Sequence, residues 1–67
     1  MEQLQKYLAD HGMRQAELAR RLGLSRSYLH GLLHGHRRPS LEVALRIERV
    51  TDGAVPVQAW AVEEARP

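Results

Sequence analysis

Sixty-seven residues make one small domain, and a chain of that size buries only about 60% of the surface its unfolded form exposes. It contains no cysteine, which excludes disulfides and cysteine-ligated zinc and leaves helix packing and self-association to stabilise it. The net charge is only +2, yet residues 1–39 carry seven Lys/Arg against three Asp/Glu, while residues 40–67 carry three against five. The first half is therefore the one expected to face a polyanion. No apolar run reaches the roughly 18 residues of a membrane span. The chain opens Met1-Glu2-Gln3 and passes directly into an amphipathic segment, without the basic start of a signal peptide. A soluble cytoplasmic protein is the expectation.

Taken in chain order, the pattern predicts five short helices and no strand, because polar and apolar residues nowhere alternate for more than a few positions. The first helix is expected from about Glu2 to His11, with Leu4 and Leu8 on one face and Gly12 ending it. The second runs from about Gln15 to Leu22; Leu18, Ala19 and Leu22 form its apolar stripe, and Gly23 stops it. Ser25 is placed to cap a third helix, Arg26 to Leu33, by accepting from backbone N–H groups that lack a helical partner. Its inner face would be Leu29, Leu32 and Leu33, with Gly35 as terminator. Pro39 disfavours helical geometry at Arg38, so Arg37 to Pro39 reads as extended. Ser40 caps a fourth helix from about Leu41 to Thr51, expected to pack through Leu41, Ala44, Leu45 and Ile47 and to close at Gly53. Pro56 opens a last helix to about Glu64, with Val57, Trp60 and Ala61 on one side. The fold class is all-α: a compact five-helix bundle, one domain over residues 1–67.

The most informative spacing is Gln15-x-x-Leu18-Ala19-x-x-Leu22-Gly23-Leu24-Ser25-x-x-x-Leu29-x-x-Leu32-x-x-Gly35-x-x-Arg38-Pro39. Ala19 is small enough for the second and third helices to cross closely. Gly23 can take the left-handed conformation that a turn of so few residues needs, and Leu24 plugs that turn into the core. Two helices joined so tightly leave the outer face of the second free to enter a major groove. With these residues in register, the segment from Gln15 to Leu29 resembles the helix-turn-helix of the Cro/repressor family, the small regulators similar to lambdoid phage repressors. The likeness covers about residues 2–51. The tail from Gly53 to Trp60 resembles, more loosely, the endings of short phage- and prophage-type regulators.

The resemblance implies a sequence-specific regulator of double-stranded DNA, bacterial or phage-encoded, working as a homodimeric autorepressor on an inverted-repeat operator. Arg26, Ser27 and His30 fall where the family reads bases, and Arg26 suits bidentate hydrogen bonds to guanine O6 and N7. Gln15, Tyr28 and His34, with His36, Arg37 and Arg38 of the following basic loop, match positions that hold phosphates. The C-terminal helix over residues 54–67 is expected to contribute to dimerisation through Val55, Val57 and Trp60. Three features depart from the family's pattern. Arg14 stands where an N-capping Ser, Thr or Asn is usual. Gly31 lies on the outer side of the third helix, where some relatives place a base-contacting residue; it offers no side chain but permits close approach. Nine arginines to one lysine favour planar bidentate recognition, though genome composition would produce the same bias.

Plainer readings stand beside these. Arg26, Ser27 and His30 form a solvated face in any surface helix, Gln15 can be an ordinary surface residue, and Tyr28 can pack over the third helix. His30 and His34 share a helix face with His36 nearby, but no cysteine or well-placed carboxylate completes a ligand set, so no metal and no cofactor are expected. Trp60 serves the core, a dimer contact, or both. Without a cysteine nucleophile, a glycine-rich phosphate loop or a Ser/His/acid set in a pocket, the chain is not expected to be an enzyme. Two competing functions use similar parts. One is a protein-binding module such as an antitoxin; the other is a nucleoid-type binder without sequence preference, for which lysine-rich, evenly spread charge would be expected.

Overall fold

Leucines spaced three and four apart within α1, α2 and α3 bring those helices together, as their periodicity predicts. The structure, a computed structural model, describes residues 1–60. It comprises α1 (Glu2–Asp10), α2 (Gln15–Leu22), α3 (Arg26–Leu33) and α4 (Leu41–Val50), followed by a fifth helical segment entered at Gln58. The fold is all-α, with no strand among the described residues. Helices α2 and α3 keep their predicted bounds, and α1 and α4 each stop one residue early. The predicted role of Ala61 and the helix end at Glu64 lie outside the described residues.

The core is the meeting of four stripes. Leu4 and Leu8 of α1, Leu18, Ala19 and Leu22 of α2, and Leu29, Leu32 and Leu33 of α3 are buried together with Ala44 and Ile47 of α4. Helix α2 packs against both α3 and α4, while α1 lies on α3. Each fully buried leucine contributes about 1.5–3 kcal/mol through removal of apolar surface from water.

Local chemistry sets the joints. Gly23 has φ 72°, and its left-handed turn lets Leu24 N donate to Ala19 O at 2.9 Å. Leu24 then packs, half-buried, against the core. Ser25 accepts from Tyr28 N at 3.1 Å and Ser40 from Val43 N at 3.2 Å, so both predicted caps form. Arg14, the N-cap of α2, makes no side-chain cap bond, consistent with its departure from the family's usual capping residue. Removing the Ser25 hydroxyl (Ser25→Ala) is expected to cost about 1 kcal/mol of unfolding free energy, measurable by urea titration. A loss below a few tenths would place the start of α3 under the control of the core instead.

The inner face of α4 differs from the expected one. Leu41 and Leu45 do not face inward: they are 68% and 43% exposed, and the inner stripe of α4 is Ala44, Ile47 and Thr51, flanked by half-buried Val43 and Val50. Trp60 takes the core place that was one of its two expected ones, and Val55, expected at the dimer contact, joins it there. Val55 is 0% and Trp60 8% exposed, both within the core of the protomer itself, so of the three residues only Val57 keeps side-chain surface to offer. Thr51 makes that burial possible. Its hydroxyl donates to Ile47 O at 2.7 Å and accepts from Val55 N at 3.2 Å, folding the chain back after α4. Asp52 (φ 55°) and Gly53 (φ 87°) supply the left-handed turn.

Candidate nucleic-acid interface

Burying Leu29, Leu32 and Leu33 commits the opposite side of α3 to the surface. Arg26, Ser27 and His30 are all exposed there, and His34, just past the last helical residue, continues the same side. The His30 and His34 rings lie 4.2 Å apart between centroids, and His34 and His36 6.4 Å apart. The three imidazoles thus form a row running off the C-terminal end of α3. Among the described residues, no three His, Cys, Asp or Glu side chains converge as a metal site requires.

Gln15 is exposed at the first position of α2, beside backbone N–H groups that a helix start leaves without intrahelical partners. It lines one open depression with Gln5, Met13, Leu33 and His34, so the start of α2 and the end of α3 share a surface. Gln5 Nε2 donates to Leu33 O at 2.8 Å, tying α1 to that end of α3. The exposed start of α2 therefore sits next to the histidine row at the end of α3.

The loop after α3 is built around Gly31. His36 N and Arg37 N both donate to Gly31 O, at 2.8 and 3.2 Å. The Arg37 guanidinium carbon lies 5.5 Å from the centroid of the half-buried Tyr28 ring. Tyr28 packs against the core, as its plainer reading expects, and its ring also faces the Arg37 cation, a contact the sequence reading did not include. Arg37 and Arg38 are exposed, immediately before Pro39 and the capped start of α4.

Across the molecule, a family model described as helix-turn-helix, of the Cro/C1 type, matches residues 4–55. The chain belongs to the Cro/repressor-type helix-turn-helix family. That family is one of DNA-binding transcription regulators, and the match runs from Leu4 within α1 to Val55, including the turn at Gly23 and all of α3. No characterised protein and no solved structure matches the chain. No helix among the described residues is long and apolar enough to cross a membrane.

Two positioning residues of this helix-turn-helix escape sequence reasoning. Arg46 Nη1 donates to Leu22 O at 2.8 Å, satisfying a terminal carbonyl of α2 while its Nη2 pairs with Glu42 at 3.3 Å. One side chain of α4 thereby locks the end of α2 at the turn. The i, i+4 spacing of Glu42 and Arg46 signals their pairing but not the reach to Leu22. Glu48 Oε1 accepts from Val57 N at 3.1 Å, anchoring the segment after α4. Nothing in the local sequence announces that bond.

Proposed function

We propose that the protein binds double-stranded DNA sequence-specifically as a homodimer, with α3 in the major groove, and represses transcription from an inverted-repeat operator that includes its own promoter. The observation that carries this reading is the exposed face of α3. It bears Arg26, Ser27 and His30 opposite a fully buried leucine face, with Gln15 and the Arg37-Arg38 loop flanking it. Arg26 and Ser27 at the helix start, with His30 one turn on, read base edges. Gln15, Tyr28, His34, His36 and Arg38 position the protein on the phosphates. Selection of bound sequences from random duplex DNA tests this directly. The expected product is an inverted repeat with half-site centres about 34 Å apart, one turn of DNA. Recovery of no common sequence would support binding without sequence preference instead.

The exposed leucines of α4 support self-association. Leu41, Leu45 and Glu48 follow one side of that helix, and the Glu48 bond to Val57 N places Val57 beside the same stripe. A second copy of the chain laid against this stripe covers two exposed large apolar side chains and leaves α3 free. Leu45→Glu is expected to convert a dimer to a monomer in sedimentation equilibrium and to weaken operator binding at least tenfold (about 1.4 kcal/mol). A wild-type chain that stays monomeric at high micromolar concentration, with and without operator, would favour the protein-binding reading, in which Leu41 and Leu45 receive a different partner.

A further inference from the structure

Gly31 and Arg37 fit one another in a way that neither residue explains alone. Ser27, Gly31 and His34 stand at i, i+4 and i+7, so position 31 lies on the outward side of α3, between two exposed residues. Gly31 is nevertheless buried. What covers it is the aliphatic stem of Arg37: a Cβ built at Gly31 would lie 2.9 Å from Arg37 Cγ and 3.0 Å from Cδ. The stem crosses the helix where a side chain is missing, and the guanidinium comes to rest 5.5 Å from the Tyr28 ring, one turn nearer the start of α3. Two backbone bonds to Gly31 O fix the loop that delivers it.

We propose that Arg37 is a specificity-determining residue that takes the place of the absent side chain at position 31 and reads a base edge in the major groove. This rests on the reading that α3 enters that groove. A phosphate clamp needs only charge and reach, which a loop arginine has without a glycine beneath it. A guanidinium laid along the groove face and held against an aromatic ring has lost much of its freedom beforehand, and its planar fork matches guanine O6 and N7. Glycine at 31 is what makes room for it.

The test is a panel of operator duplexes with each base pair of the half-site substituted in turn, titrated with the full chain and its variants at fixed salt. Arg37→Ala is expected to lose discrimination at one base pair, on the order of tenfold, and at a different pair from the one Arg26→Ala relaxes. Arg37→Lys, which keeps the charge but not the fork, is expected to lose the same discrimination. Gly31→Ala is expected to reproduce that loss with Arg37 intact, because its methyl displaces the stem, and to add nothing in an Arg37→Ala background. Melting curves of Gly31→Ala should hold or rise, since alanine is the better helix former. Uniform weakening across the panel in Arg37→Ala, full rescue by lysine, or an unchanged preference in Gly31→Ala would each overturn the proposal. Uniform weakening in Arg26→Ala as well would instead locate the failure in the groove reading of α3, and the proposal would fall with it.

Discussion

Trp60→Ala is expected to cost about 3–5 kcal/mol and to leave little folded protein at physiological temperature. Trp60 is the largest side chain in the core at 8% exposure, and it packs in one cluster with Val55, Ile47 and the leucines of α2 and α3. A domain of this size has no disulfide to absorb the loss. Far-UV circular dichroism with thermal melting would read it, as a fall in midpoint of about 10 °C or more. A shift worth less than about 1 kcal/mol would mean that the segment after Thr51 is not part of the cooperative unit. The same burial bears on a tempting experiment. Truncating the chain after Thr51 removes Val55 and Trp60 together, so loss of operator binding in such a variant would report unfolding rather than a missing dimer contact. Substitution at exposed Leu45 separates the two.

Arg26→Ala and Gln15→Ala are expected to weaken DNA binding in different ways, and the difference is the larger of the functional effects. Arg26 is the first helical residue of α3, exposed and one residue past the Ser25 cap. Its removal should cost about 1–3 kcal/mol against the preferred base at one position per half-site and little against the others. In the proposed reading Gln15, at the start of α2, meets a phosphate through its neutral side-chain amide beside the backbone dipoles of the helix start, contacts that carry no sequence information. Its loss should lower affinity for every duplex by a similar factor. Fluorescence anisotropy on a base-substitution panel at constant salt distinguishes the patterns, because changes in ionic strength alone shift all affinities together. Uniform loss in both variants would remove Arg26 from the groove.

The helix-turn-helix itself was legible in the sequence because its signals are local. Gly23 could turn left-handed, Ser25 and Ser40 could cap, and the leucine spacings defined one inner face each for α1, α2 and α3; those caps, that turn and those faces all appear in the fold. Helix α4 was different. Leu41 and Leu45 lie on one of its sides, Val43, Ala44, Ile47 and Val50 on another, so its periodicity offered two apolar stripes and no rule for choosing between them. Packing against α2 chose the second and left the leucines outside. Val55 and Trp60 were ambiguous for a related reason: a lone apolar residue after a turn has no period to reveal which surface it meets. The Thr51 hydrogen bonds and the Glu48 bond to Val57 N, which hold the segment back against α4, decided that they meet the protomer's own core. The Arg46 bond to Leu22 O and the passage of Arg37 over Gly31 join residues 24 and 6 positions apart through side-chain reach. Composition and helical period carry no record of such reach, because it depends on where the next helix places the side chain's root.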